Sequence, residues 1–244
     1  MTAPPGSATP SATAEQAPAR RLILWDIDGT LIRSRGVGRR VIEEAAASVG
    51  RLAEVPRVVM SGKTDPQILR EIFTAAAVAG DQIDGLLPEA QAMAERALAA
   101  AEQELREAGS VLPGVVALLE GLRRAPGVRQ TLLTGNLTAN AAVKVAAFGL
   151  TDFFDAEVGA YGSDHADRLQ LVPIALERVA RFRGETYEAD EVWVVGDTAN
   201  DLACARAGGV RCLLVGADVA DTEADAHLPD LSDVERAYAI LLGH

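Results

Sequence analysis

Four short apolar runs punctuate the chain, at residues 21–25, 130–133, 191–195 and 210–215. Each has strand length and is bounded by glycine or polar residues. After the second run, apolar residues recur at helical spacing over about 139–148, 169–182 and 200–207. Nearly unbroken apolar strands alternating with helices predict an α/β fold with a mostly parallel sheet covered on both faces. In such sheets ligands gather beyond the carboxyl ends of the strands. Three polar signatures sit there: DIDGT at 26–30, TGN at 134–136 and GDTAND at 196–201.

The alternation breaks between 33 and 110. Helical patterns occupy about 38–48, 65–79 and 88–107, with no strand series among them. Ile68, Leu69, Ile72, Phe73 and Ala76 mark one apolar face; Met93, Ala97, Leu98, Ala101 and Leu105 mark another. Thr64 with Gln67 predicts a capping box at the start of the second helix. A stretch this long is no ordinary loop. The expected organisation is a tail at 1–20, a core formed by 21–32 and 111–244, and an inserted helical unit at 33–110. The junctions near 32–35 and 110–114 should then lie together, making the insertion a candidate lid.

Composition narrows the functional classes. The chain has 244 residues, 49% of them hydrophobic but only 4% aromatic, so Leu, Val, Ile and Ala must build the core. Its formal charge of -12 disfavours nucleic-acid binding, which needs concentrated Lys and Arg. It leaves open a small anionic partner held by a local field. Cys204 and Cys212 provide neither a disulfide framework nor a zinc cluster. The Ala-, Pro-, Ser- and Thr-rich tail is expected to be disordered, and it lacks the apolar stretch of a signal peptide. A soluble, cytoplasmic protein with no membrane contact is expected; composition leaves monomer and homodimer equally open.

Asp26 and Asp28 flank Ile27, so an extended backbone projects both carboxylates to one side. Their repulsion calls for a cation, and Mg2+ prefers oxygen ligands. Asp197 at another strand end can share that ion, and Asp201 can bind a metal-bound water or orient neighbours; Asn200 is the less certain member. The Thr134 hydroxyl and backbone N–H groups around Gly135 and Asn136 suit phosphate oxygens. The balancing positive charge falls to Arg168, with Lys144 as its rival. These groups specify phosphoryl transfer: Asp26 attacks phosphorus, while Asp28 protonates the leaving oxygen and then activates water.

This set of motifs resembles the haloacid dehalogenase-like hydrolase superfamily, particularly its phosphoglycolate-phosphatase-like branch. DIDGT is similar to the first family motif, Thr134 with GN to the second, Arg168 to the third and GDTAND to the fourth. The resemblance implies a Rossmann-like three-layer sandwich with a helical cap at 33–110. It implies Asp26 as nucleophile, Asp28 as acid/base, and Mg2+ held by Asp26, the Asp28 backbone carbonyl and Asp197. It also implies that Thr134 and Arg168 bind phosphate and that Asp201 supports the metal site. Arg168 departs from the family's usual lysine, and the KP pair that commonly follows is absent.

Dehalogenases of the family lack the second aspartate, so Asp28 favours hydrolysis of a small-molecule phosphate ester, and a role for Lys63 would suit phosphoglycolate or a sugar phosphate. A phosphomutase and a non-catalytic binding or regulatory module are the alternatives. Lys63, in SGKTD at 61–65, is the candidate for reading a substrate carboxylate or second phosphate. His165 lies near Arg168 in sequence, with a loop role favoured.

Overall fold

The computed structural model describes residues 20–216 and 223–243. The expectation for the tail at 1–20 lies outside the described residues except for Arg20. Strand β1 (Arg21–Trp25) places four wholly buried side chains at the centre of the molecule. Successive strand residues face opposite ways. Ile23 and Trp25 therefore enter one apolar cluster, and Leu22 and Leu24 the other. Burial on both faces explains why the sequence here is continuously apolar rather than alternating.

The chain continues through β2 (Ile32–Arg33), α1 (Val37–Gly50), α2 (Asp65–Ala75), α3 (Gly80–Ala100), α4 (Glu102–Ala108) and β3 (Ser110–Val111). It returns to the sheet through α5 (Val115–Arg124), β4 (Val128–Thr134), α6 (Thr138–Ala147) and β5 (Ala160–Tyr161). Then follow α7 (Leu171–Arg183), β6 (Val192–Gly196), α8 (Ala199–Ala207), β7 (Arg211–Val215), β8 (Ala226–Leu228) and α9 (Val234–Leu242). The large sheet has the order β5-β4-β1-β6-β7-β8, and every pairing within it is parallel. Leu118, Leu119 and Leu122 of α5, Val145 of α6 and Leu241 of α9 cover one face. Val172, Ala175 and Val179 of α7 with Cys204 and Ala205 of α8 cover the other. The result is a Rossmann-like three-layer sandwich.

After β1 the chain runs first to β4 on one side and later to β6 on the other. The carboxyl ends of β1, β4 and β6 therefore converge at a topological switch point, where this architecture opens a crevice. The stretch between β2 and β3 holds the helices α1–α4. Its exit and return are joined by an antiparallel pair, Ile32 with Val111 and Arg33 with Ser110. Ile42, Ala45, Ile68, Ile72, Phe73, Ile83, Ala90 and Ala94 form an apolar cluster among α1, α2 and α3. A second cluster, built on Val37, Val41, Leu98 and Leu105, reaches Ala147 of α6.

Several local expectations change. Helix α3 begins at Gly80 rather than near 88 and carries Pro88 in its interior. Ile83 and Leu87 extend the buried stripe across the proline, so packing overrides the missing backbone donor. The helix ends at Ala100, and Ala101 separates it from α4. Helix α2 ends at Ala75, and Ala77 adopts a positive φ of 57° just beyond it. The Thr64 hydroxyl accepts from the Gln67 backbone, but the Gln67 side chain turns to Glu71 at 3.0 Å, so only half a capping box forms. Among the described residues, no helix is long and apolar enough to cross a membrane.

Phe73 is wholly buried in the helical insertion. Phe73→Ala is expected to lower unfolding free energy by about 3–5 kcal/mol through lost transfer energy and a residual cavity. A urea titration followed by circular dichroism measures this.

Candidate active site

The end of β1 folds into a tight loop before any side-chain chemistry begins. The Asp26 N–H donates to Val195 O of β6 at 2.9 Å, holding this residue on the switch point. Leu31 and Ile32 both donate to the Ile27 carbonyl, and Gly29 donates to Ile32 O at 2.8 Å. Gly29 has φ +88°, and a Cβ there would lie 2.0 Å from the Asp197 carboxylate. Absence of a side chain at Gly29 therefore lets β1 and β6 bring their acids together.

Carboxylate oxygens of Asp26, Asp197 and Asp201 lie within 4.8 Å of one another. Among the described residues, Asp197 Oδ1 is buried without a hydrogen-bond partner. Asp201 is wholly buried and closes a capping box with Thr198 at the start of α8. Arg168 joins the group: its Nη2 contacts Asp26 Oδ1 at 3.1 Å and also donates to Asp201 Oδ1. Burial opposes the Arg168 charge, but Asp201 and Asp26 more than compensate and hold it firmly protonated. One guanidinium cannot neutralise three carboxylates. Three hard oxygen donors, one of them orphaned, fit a divalent cation such as Mg2+.

Charge crowding appears in proton affinity. Burial, aided by Asp26 and Asp201, pushes Asp197 up to about 8. Burial also raises Asp26 to about 6 against the pull of Arg168, with Asp201 and Asp28 adding to the rise. Asp28 moves the other way. Burial works against its charge, but Lys144 and hydrogen bonds from Lys144, Asn136 and Ser34 lower its pKa below the ordinary value.

Lys144 is buried, and its Nζ lies 2.5 Å from both Asp28 Oδ2 and Asn136 Oδ1. Asn136 Nδ2 donates to the same Asp28 oxygen at 3.0 Å and to Thr134 Oγ1 at 2.7 Å. Gly38 leaves room for this lysine: a Cβ there would sit 3.3 Å from Nζ. The two positive side chains thus have different neighbours, Arg168 beside Asp26 and Lys144 beside Asp28.

Asp26, Asp28, Thr134, Gly135, Asn136, Lys144, Arg168 and Lys63 all line one cleft of about 200 Å³. That is smaller than the roughly 300–1,000 Å³ typical of drug-sized ligand sites. Lys63 Nζ is 2.5 Å from Glu71, so its charge is already paired within the insertion. Asn200 Nδ2 donates to the Ser61 carbonyl at 3.3 Å, a contact between core and insertion. His165 is exposed, and among the described residues its ring bonds only locally, to the backbone of Asp167.

Sequence reasoning missed Asp65. This buried acid reaches from the insertion to the backbone N–H of Leu137 at 2.9 Å and to Asn140 Nδ2 at 3.2 Å. The structure explains its place: α6 has Leu137 at its N-cap and hence no local side-chain acceptor.

A family model for haloacid dehalogenase-like hydrolases matches residues 20–209. Phosphoglycolate phosphatase 1 of Pseudomonas aeruginosa is 28% identical over 197 residues, covering 79% of this chain and 68% of the relative. A plasmid-borne phosphoglycolate phosphatase of Cupriavidus necator is 30% identical over 195 residues, covering 79% of each chain. The phosphate complex of CbbY from Rhodobacter sphaeroides superposes with a TM-score of 0.63 at 18% identity, covering 88% of this chain and 96% of that one.

A carboxyl that binds its proton more tightly when folded adds stability at low pH, and this is lost as pH rises through its folded value. Asp197, raised from 3.8 to about 8, and Asp26, raised to about 6, set the window. In excess EDTA, their contribution to the urea midpoint should decline between about pH 4 and 8. Asp197→Asn should flatten that decline, as measured by paired titrations of variant and parent.

Proposed function

Because the chain belongs to the haloacid dehalogenase-like hydrolase family, we propose that it hydrolyses a small phosphate monoester through a phosphorylated Asp26, with Mg2+ as cofactor. The chain is a phosphoric monoester hydrolase of the phosphoglycolate-phosphatase-like branch. The single observation that carries the proposed mechanism is the meeting of Asp26, Asp197 and Asp201 around Arg168 at one sheet edge.

In this reading, Asp26 and Asp197 hold Mg2+ together with the backbone carbonyl of Asp28, and Asp201 supports the site. The bound ion supplies positive charge to the phosphoryl group and lets the acids ionise together. Arg168 braces Asp26 and binds a phosphate oxygen, while Thr134 and the Gly135–Asn136 backbone receive the others. An Asp26 carboxylate oxygen attacks phosphorus, and the bond to the leaving oxygen breaks as that oxygen takes a proton from Asp28. Asp28 then takes a proton from the water that cleaves the aspartyl-phosphate, releasing phosphate and restoring Asp26. Lys144 and Asn136 keep the Asp28 side chain at its post.

Residues 33–110 act as the cap in this proposal, closing over the cleft and limiting the leaving group. The modest cavity and the relatives named phosphoglycolate phosphatases favour a short, anionic leaving group such as glycolate. Lys63 then contributes at the mouth, where its pairing with Glu71 fixes its direction.

The decisive experiment is a phosphate-release screen with Mg2+ over phosphoglycolate, sugar phosphates, nucleotides and amino-acid phosphates, ranked by kcat/KM. Phosphoglycolate should lead; accumulation of an isomerised sugar phosphate without free phosphate would instead identify a mutase. Asp26→Asn should remain folded yet lose turnover, and near-parental rates from it would remove the nucleophile assignment. Arg168→Ala should raise KM by on the order of tenfold or more through loss of a charged contact to phosphate. Lys144→Met should act chiefly on kcat, and equal effects of both variants on KM would overturn this division of labour.

A further inference from the structure

The phosphate-binding turn depends on an acid that lies far away in sequence. Residues 134–137 leave β4 and enter α6, whose first turn presents backbone N–H groups with no internal acceptors. The local sequence supplies no cap, since Leu137 occupies that position. Asp65 supplies an acceptor from the insertion: its Oδ2 takes hydrogen bonds from Leu137 N and Asn140 Nδ2. Its negative charge also suits a helix N-terminus.

The backbone reinforces this seat. Asp65 N–H donates to Gly135 O at 2.7 Å, and Thr64 Oγ1 donates to the Ala166 carbonyl at 2.6 Å, two residues before Arg168. A Cβ on Gly135 would lie 2.2 Å from Lys63 O, so the two loops meet backbone to backbone. Asn136, inside the clamped turn, connects Thr134 to Asp28 and Lys144. Order imposed at Leu137 and Gly135 is therefore transmitted to the groups that receive phosphate.

Resting on the proposed phosphatase reading, we propose that Asp65 is a positioning residue: by accepting from Leu137 and Asn140 it shapes the Thr134–Asn136 turn for phosphate, and only while the insertion is seated. Asp65 touches no reacting atom. It links closure over the cleft to competence of the turn beneath. A leaving group too bulky for loop 61–65 to seat would leave the turn unclamped, so size selection and catalysis share one contact.

The test compares Asp65→Ala and Asp65→Asn in the full chain with Mg2+, using calorimetric affinity for inorganic phosphate and kcat/KM on the best ester. Both hydrogen bonds end on one carboxylate oxygen. An asparagine carbonyl reproduces that acceptor without the charge. Asp65→Ala should weaken phosphate binding and lower kcat/KM each by about tenfold, whereas Asp65→Asn should stay within about threefold of the parent. Phosphate affinity separates positioning from stability, because a smaller folded fraction lowers the amount of binding without changing the dissociation constant.

Unchanged phosphate affinity in Asp65→Ala overturns the proposal, as does equal damage from both variants. If Asp65→Ala does not fold, Asn140→Ala removes one donor to the same oxygen; about threefold weaker phosphate binding supports the proposal and unchanged binding overturns it. A parent protein that binds phosphate but hydrolyses no ester would count against the phosphatase reading while leaving the Asp65 comparison readable.

Discussion

Mutual repulsion among buried carboxylates is the constraint around which this molecule is organised. Asp26 and Asp201 are buried and Asp197 is half-buried, and their oxygens lie within 4.8 Å of one another. Such a grouping is costly unless opposite charge offsets it. The parallel sheet bears that cost because its central strands are clamped by two apolar layers, fixing the ends of β1 and β6 side by side. Arg168 offsets part of the charge from within the chain. The remainder fits a hard cation, which in the proposed function would in turn draw the oxygens of a phosphate.

Close backbone approach allows the grouping to exist. Gly29 lets the DIDGT loop pass the Asp197 carboxylate, and Gly196 does the same beside Asp201, where a Cβ would lie 2.1 Å from the side-chain carbon. These glycines are as much part of the electrostatic design as the acids, because any side chain there would push apart the charges that need to meet. Gly135 repeats the device on the other side of the cleft, where it admits the backbone of Lys63.

How far all this was legible in the sequence depends on the range of each interaction. Strands β1, β4, β6 and β7 announce themselves because burial on two faces demands continuous apolar runs, and DIDGT, TGN and GDTAND announce their ends. Helices α5 and α9 follow no polar signature that would mark them, although Leu118, Leu122 and Leu241 face the core. Strands β5 and β8, with two and three residues, owe their existence to neighbouring strands rather than to any local pattern. Pro88 misdirected the start of α3, since a local breaking rule competed with a longer apolar stripe and lost. Among site residues, the acids and Thr134 carry signatures of their own. The pairing of Lys144 with Asp28 and of Asp65 with Leu137 spans 116 and 72 positions, and no local spacing encodes either.

The placement of the helical insertion gives these long-range contacts their meaning. It leaves the core directly after Asp28 and the tight DIDGT loop, and returns through β3 paired to β2. Movement of the insertion about that pair would alter what lies over the cleft while leaving β1 locked in the sheet. The backbone of Asp26 is thereby insulated from motion, whereas the TGN turn is not, because Asp65 and Lys63 press directly upon it. Rigid chemistry on one wall and a closure-dependent anion cradle on the other is a physically economical division. On the proposed reading, it would let a weakly held, unsuitable ester leave before the turn is ordered, without disturbing the charged cluster that is hardest to assemble.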